Sequence, residues 1–252
     1  MAALARALSA EALKLKRTLA LWLVIVLPAA VVFLLFINYL QRGEYLVQAD
    51  VDSWLWMTQN ILVFWATLFL PLFTALEIAL LAGLEHSEKN WKHLFALPVP
   101  RWTIYTAKLL AGLGIVGLGQ MAIWGWTILA GLGLRVLKPG LGFESSFPWL
   151  QILGWLFRVY LASWFMVAIH TWISVRWPSL VVSIGAGIAA VIGSLVITNT
   201  ELWRIYPWAL PAVVADGFIE NKVQLVAIAI SLIGGVIVGV VGCWETIRRD
   251  VL

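Results

Sequence analysis

Six long runs of apolar residues, separated by short polar segments, organise this chain. The runs are Thr18–Leu40, Trp54–Leu84, Leu109–Leu134, Trp149–Val175, Leu180–Thr200 and Val223–Trp244. Each can cross a hydrocarbon core of about 30 Å as an α-helix, which rises about 1.5 Å per residue. The pattern therefore predicts an all-α membrane protein with six transmembrane helices. The second run is longer than a span needs, so we expect it to tilt, to kink near Pro71, or to begin in the interface.

The distribution of lysine and arginine predicts the orientation of these spans. If both termini are cytoplasmic, eleven of the 17 basic residues lie inside and five lie outside, and Arg158 falls within the fourth span. Loops on the cytoplasmic side of membrane proteins carry the excess of basic residues. We therefore expect cytoplasmic N- and C-termini, and the polar segment Glu85–Lys108 on the same side.

The N-terminal segment 1–17 has the pattern of a helix that lies in the inner membrane interface. Leu4, Leu8, Ala12 and Leu15 share one helical face, and Arg6, Lys16 and Arg17 lie away from it. Basic residues in such a position would face anionic lipid. Glu11 interrupts the apolar stripe, so we expect it to pair with Lys14 or to face a protein surface.

The segment Glu85–Lys108 contains a short amphipathic helix in its middle. Ser87 is a suitable N-cap, Pro98 ends the helix, and Trp91, Leu94 and Phe95 share one face. A helix of this length is not stable alone and needs a surface. Two interpretations remain open from the spacing: an anchor in the lipid headgroups, or a docking element for a cytoplasmic subunit.

The segment Glu201–Lys222 is too apolar for an ordinary solvated loop, and prolines divide it into pieces too short to span. One interpretation is one or two short helices that dip into the outer leaflet and are buried against the protein. The other is an aromatic-rich loop on the surface.

Composition supports membrane insertion and argues against several kinds of site. Apolar residues make up 62% of the chain and charged residues 12%, with mean hydropathy +0.95. A soluble domain carries about 25% charged residues. The single cysteine, Cys243, excludes an internal disulfide, and the chain has no phosphate-binding loop sequence. We expect one domain with no catalytic residues, no metal site and no nucleic-acid partner.

Two ionisable residues lie inside predicted spans, where charges are costly and often functional. Glu77 lies near the inner end of the second span, and Arg158 lies deeper in the fourth. Their different depths argue against a direct ion pair. For each of them a structural role and a place on a translocation path both remain possible. Gly235, Gly239 and Gly242 in the last span predict a close helix contact, within the chain or with a second subunit.

Two groups of residues resemble sequence segments of the ABC-2 type transporter permeases. One lies in the polar segment and comprises Glu85, Glu88, Trp91, Leu97, Pro98, Val99, Arg101, Tyr105 and Lys108; the other comprises Glu11, Lys14 and Arg17, with Trp22 and Pro28 in the first span. Six spans with cytoplasmic termini also fit that family. The small size and short loops are most similar to the permeases of bacteriocin, lantibiotic and bacitracin self-protection exporters.

The resemblance implies an ATP-driven exporter subunit of the bacterial cytoplasmic membrane. Two ATP-binding subunits would carry ATP and Mg²⁺, and a second permease chain, identical or homologous, would complete the transporter. The helix around Trp91 and Phe95, with Glu85, Glu88, Leu94, Pro98 and Arg101, would be the docking element, and Glu11, Lys14 and Arg17 would form an N-terminal interface. The substrate would be an amphipathic peptide antibiotic or a lipid-like molecule. An ion-coupled transporter or a membrane scaffold without transport activity are the alternatives.

Overall fold

All regular structure in the described part of the chain is helical. The computed structural model describes residues 2–15, 18–46, 51–87, 100–177, 179–198, 200–217 and 219–248, with the backbone alone at Ala2 and at 84–87. Its α-helices are α1 (Ala2–Leu15), α2 (Leu19–Leu46), α3 (Ser53–Phe64), α4 (Leu70–Ser87), α5 (Arg101–Leu137), α6 (Trp149–Ala162), α7 (Trp164–Arg176), α8 (Leu180–Ile197), α9 (Leu210–Ala215) and α10 (Asn221–Arg248). A π-helical turn, Trp65–Phe69, joins α3 to α4, and a 3₁₀ turn covers Glu201–Ile205.

The prediction of an all-α membrane protein is confirmed. Five helical segments in the described residues are long and apolar enough to cross a membrane: α2, the α3–α4 segment, α5, α8 and α10. The pair α6 and α7 brings the number to six if it forms one span. The chain is therefore a multi-pass membrane protein.

The fourth predicted span, Trp149–Val175, is not one continuous helix. It breaks at Ser163, where α6 and α7 meet at 42°. Ser231 of α10 compensates for the break: its Oγ donates to the carbonyl of Ala162 at 2.8 Å and accepts from the amide of Phe165 at 3.2 Å. Backbone groups freed inside a membrane need such partners. The apolar run hides this break because the compensating hydroxyl lies on another helix.

The second predicted span accommodates Pro71 through a wider turn. Proline has no amide hydrogen and its ring crowds the carbonyl four residues earlier. The preceding residues 65–69 form the π-helical turn, and the amide of Leu70 bonds to the carbonyl of Trp65. The irregularity expected near Pro71 is therefore present, just before the proline.

Two predicted boundaries are corrected. The first span ends at Leu40 in the sequence pattern, but α2 continues to Leu46 with a non-helical residue at Arg42 (φ −129°, ψ 16°). The polar segment 85–108 is also shorter than predicted, because α4 extends to Ser87 and α5 already begins at Arg101. Polarity misled the second prediction, since α5 starts with charged and polar residues.

The two ends of the helix bundle can be told apart by the helices that start or stop there. We call the end where α4 stops and α5 begins the loop end, and the other the far end. Helix α10 runs parallel to the α6–α7 segment, because Ser231 contacts Ala162 and the later Glu245 contacts Trp172. It runs antiparallel to α5, because Gly239 faces Leu109 and the later Ile247 contacts Arg101. The C-terminal ends of α7 and α10 therefore lie at the loop end, and the first turn of α10 lies at the far end.

The segment between α8 and α10 contains short helices packed into the protein. All six residues of α9 are buried, and Trp203 in the 3₁₀ turn is buried as well. Tyr206 donates from its hydroxyl to the carbonyl of Ala190 at 2.8 Å and so ties the segment to α8. The short-helix interpretation of Glu201–Lys222 therefore describes the segment better than a surface loop. Its depth in the membrane stays a prediction.

Candidate coupling site

The loop end contains a buried ion pair between the N-terminal helix and the start of α5. Lys108 Nζ lies 3.4 Å from both carboxylate oxygens of Glu11. The exposed fractions are 1% for Lys108 and 4% for Glu11. Lys14 Nζ donates to Glu11 Oε1 at 2.9 Å from its more exposed position on α1. Glu11 thus both pairs with Lys14 and faces a protein surface, the two options that the sequence left open.

The same lysine also contacts α4. Its Nζ donates to the main-chain carbonyl of Leu81 at 3.3 Å. One ammonium group therefore joins α1, α4 and α5, the last two of which flank residues 88–99. A movement of α4 or α5 relative to α1 would therefore strain these contacts.

Burial makes the ion pair sensitive to the loss of one partner. Removal of a charged group from water costs several kcal/mol, and close pairing repays the cost only while both partners are present. Loss of one partner of a buried pair costs about 3–5 kcal/mol in soluble proteins. Glu11 and Lys108 are therefore held together strongly, and their contact fixes α1 to the bundle.

Further contacts at the loop end involve α10. Arg101, the first residue of α5, donates from Nη1 to the carbonyl of Ile247 at 3.3 Å. Glu245 accepts from Trp172 Nε1 at 2.6 Å and pairs with Arg176 Nε at 2.8 Å. The loop end is thus held together by charged contacts that join α5, α7 and α10.

Most of the predicted docking residues lie outside the part of the chain whose side chains are described. These are Glu85, Glu88, Trp91, Leu94, Phe95 and Pro98, of which Glu85 has a described backbone in α4; Arg17 is likewise outside. Arg101, Glu11 and Lys14 are described, and all three lie at the loop end. The structure thus describes the helices on either side of residues 88–99, and the docking role of all these residues stays a prediction.

The structure does not bring the two intramembrane charges together. Glu77 of α4 is fully buried, and neither of its carboxylate oxygens has a hydrogen-bond partner among the described residues. Arg158 of α6 is exposed and contacts Asn221 and Gln224 of α10. The prediction that these two residues do not form an ion pair agrees with this geometry.

A cavity of about 930 Å³ opens between α2 and α3. Its apolar wall includes Leu34, Val63 and Phe64, and its polar wall includes Tyr39 and Asn60. Asn60 Nδ2 donates to the Tyr39 hydroxyl at 2.8 Å. The lining is therefore amphipathic. Sequence reasoning did not single out these polar residues, although Asn60 and Gln59 stand out as neighbouring amides in an apolar run.

The glycines of α10 form helix contacts within the chain. A Cβ at Gly235 would lie 3.1 Å from the carbonyl carbon of Trp164, and one at Gly239 would lie 3.1 Å from a methyl of Leu109. At Gly242 the Tyr105 side chain fills the space beside the backbone. The stripe therefore packs α10 against α5 and α7.

The chain matches the family model of an ABC-2 family transporter protein over residues 7–196. The match begins inside α1, includes both partners of the Glu11–Lys108 pair, and extends to α8. The chain belongs to the ABC-2 transporter family. A search of curated proteins finds no match.

Membership of the ABC-2 family implies a partner protein for this chain. An ABC-2 permease supplies the membrane-spanning part of an ABC transporter and works with an ATP-binding subunit. The ABC-2 match also covers the polar segment from which the docking element was predicted. The bacteriocin, lantibiotic and bacitracin subgroup is a finer prediction that the family match leaves open.

The contact between Glu11 and Lys108 could not be predicted from the ABC-2 sequence pattern. The two residues are 97 positions apart. Each was noticed separately, Glu11 for interrupting an apolar stripe and Lys108 as the end of the polar segment. A charged residue on the apolar face of an amphipathic helix was the available signal, because such a residue needs a buried partner.

Proposed function

We propose that this ABC-2 permease is the membrane subunit of an ATP-driven exporter, and that its ATP-binding subunit docks on the segment from Glu85 to Arg101. In this proposal ATP and Mg²⁺ bind to the separate subunit, and the permease has no catalytic role. The loop end would face the cytoplasm of a bacterial cell, as the excess of basic residues predicts. Two permease chains, identical or homologous, and two ATP-binding subunits would form the transporter.

The observation that carries the proposal is the three-helix contact at Lys108. This residue joins α1 to α4 and α5, on the two sides of the docking segment, through Glu11 and the Leu81 carbonyl. A force on the segment would therefore reach three helices together. Such a rigid base suits a device that transmits closure of an ATP-binding subunit to the spans.

The amphipathic cavity supports the proposed substrate class. A peptide antibiotic or lipid-like molecule has an apolar body and a polar part, and the cavity offers Leu34 and Phe64 for the first and Tyr39 and Asn60 for the second. Binding pockets commonly combine apolar walls with a few placed polar groups. Glu77 and Arg158 remain candidates for the translocation path.

Co-purification tests the docking proposal. The ATP-binding subunit should be retained by tagged wild-type permease and lost, or reduced about tenfold or more, by the double variant Trp91→Ala/Phe95→Ala, since aromatic residues commonly dominate binding energy at interfaces. Trp149→Ala is the matched control, because Trp149 is an exposed aromatic residue at the far end. Full retention by the double variant would contradict the proposal.

Transport by the purified complex tests the energy source. In proteoliposomes that contain both subunits, translocation of a fluorescent amphipathic peptide or lipid should require ATP and should continue when an ionophore collapses ion gradients. Transport that stops with the ionophore and continues without ATP would support the ion-coupled alternative. If the complex transports nothing in proteoliposomes under either condition, and cells that express it remain sensitive to the peptide, the scaffold alternative is supported.

A further inference from the structure

Arg158 forms an unusual contact at the far end of the bundle. Its Nη1 atom lies 3.4 Å from Asn221 Oδ1 and 3.5 Å from Gln224 Oε1. Both acceptors belong to the first turn of α10. Both are neutral amides, and neither contact is short. The guanidinium group is therefore positioned without being neutralised by these partners.

Gln224 is held in the orientation that this contact requires. Its side-chain amide group donates to the main-chain carbonyls of Asp216 at 3.0 Å and Ile219 at 3.2 Å. Because both amide hydrogens have acceptors, Oε1 is turned towards Arg158. Gln224 is also 7% exposed, so its surroundings limit rearrangement. The site is thus built into the fold and does not depend on a chance contact of a surface arginine.

The charge of Arg158 has no carboxylate partner among the described residues. Its five N–H donors exceed the two acceptors that it contacts, so donors remain for another ligand. Lys222 and Glu220 flank Asn221 and are both exposed, with opposite charges. An unpaired cation beside lipid is costly, and an anion that accepts two parallel hydrogen bonds would stabilise it.

The side chain of Arg158 is directed along α6 towards the far end. Arg158 lies nine residues after Trp149, roughly 14 Å along α6 from its first residue. Its side chain nevertheless reaches Asn221, the first residue of α10. The side chain therefore extends towards the far end, as long basic side chains do when they seek the lipid headgroups. Phe157 beside it is exposed and apolar, which suits a surface in contact with acyl chains.

We propose that Arg158, oriented by Asn221 and Gln224, binds a phosphate group at the far end of the bundle, supplied by an anionic phospholipid. The guanidinium fork matches two phosphate oxygens, whereas lysine acts as a point charge. The phosphate would complete the hydrogen bonding of Arg158 and hold a lipid beside α6 and the first turn of α10. This assignment does not involve the ATP-binding subunit, and it gives Arg158 a structural role in place of a position on the translocation path.

Lipid retention measured by native mass spectrometry tests this site. Purified full-length permease, depleted of lipid by detergent, would be titrated with phosphatidylglycerol and separately with inorganic phosphate. We expect phosphatidylglycerol to bind the wild type, Arg158→Gln to weaken binding about tenfold or more, and Arg158→Lys to restore only part of it. Lys222→Gln is the matched control, since it removes the same charge near the same helix end and should change affinity little.

The two titrations distinguish the sources of phosphate. Competition by inorganic phosphate at concentrations comparable to those of the lipid would show a free-anion site and overturn the lipid assignment. Equal binding of phosphatidylglycerol to wild type and Arg158→Gln would overturn the site itself. If Arg158→Gln misfolds, Arg158→Lys replaces it in the comparison, and a symmetrical size-exclusion peak shows that the lysine variant is folded. A folded Arg158→Lys that binds phosphatidylglycerol as tightly as the wild type would also overturn the site.

Discussion

Lys108 of α5 and Glu11 of α1 lie 3.4 Å apart in a buried contact, 97 residues apart in the chain. Lys14 accompanies Glu11 at 2.9 Å, whereas Lys108 has the Leu81 carbonyl as its second partner. Glu11 therefore retains a cationic partner, Lys14, when Lys108 is removed. Removal of Glu11 takes the carboxylate of this contact away from the buried ammonium group of Lys108.

This arrangement predicts the result of a double-mutant cycle. Glu11→Gln should destabilise the protein by about 3–5 kcal/mol, because it removes the carboxylate that pairs with the buried ammonium group of Lys108. Lys108→Met should cost less, because Lys14 still neutralises Glu11. The double variant should be more stable than Glu11→Gln alone. Thermal unfolding in detergent measures all four proteins, and additive losses would contradict a direct interaction.

Glu77 provides a second prediction about buried charge. Its carboxylate is fully buried and has no hydrogen-bond partner among the described residues. Glu77→Gln should therefore leave the unfolding temperature unchanged or raise it, because the amide keeps the shape and carries no charge. Glu245→Gln is the contrasting variant and should lower it, since Glu245 bonds to Arg176 and Trp172. A large loss of stability in Glu77→Gln would show that the charge is compensated.

The glycines of α10 predict a graded effect of alanine. At Gly235 the added methyl group would meet the backbone of Trp164, which cannot rotate away, so Gly235→Ala should destabilise the protein by about 1–3 kcal/mol. At Gly239 it would meet a flexible Leu109 methyl, so the loss should be smaller. Gly185→Ala on α8 is the control: nothing lies within 4 Å, and alanine improves helix propensity by about 1 kcal/mol.

Thermal unfolding of the three alanine variants checks this order. We expect Gly185→Ala to be the most stable variant, Gly239→Ala to be less stable, and Gly235→Ala to be the least stable. If Gly235→Ala proves as stable as Gly185→Ala, α10 does not approach α7 as closely as the structure shows.

The spans were predictable because hydrophobic periodicity and length are local properties of the chain. The break at Ser163 was not predictable, because the hydroxyl that satisfies its backbone belongs to Ser231, far away in sequence. The start of α5 was misplaced for a related reason. Lys108 and Arg101 look like loop residues in the sequence, but Lys108 is buried by contacts with α1 and α4 that local polarity does not reveal.

The candidate site was predictable only in part, because only some of its features are visible in the local sequence. The amphipathic spacing around Trp91 and the family resemblance marked the docking segment, and the anomalous Glu11 marked α1. Their connection through Lys108 required the tertiary structure. The amide and hydroxyl groups of the cavity between α2 and α3 were missed, since isolated polar residues in an apolar run do not show which helix they will face.

Site-directed photo-crosslinking tests most directly the claim that the ATP-binding subunit docks on the segment from Glu85 to Arg101. Cys243 is the single cysteine, so Cys243→Ser gives a background for Trp91→Cys and for the far-end control Trp149→Cys. After labelling with a benzophenone maleimide and illumination of the assembled complex, the label at position 91 should capture the ATP-binding subunit and the label at 149 should not. Capture from position 149 with none from position 91 would contradict the account.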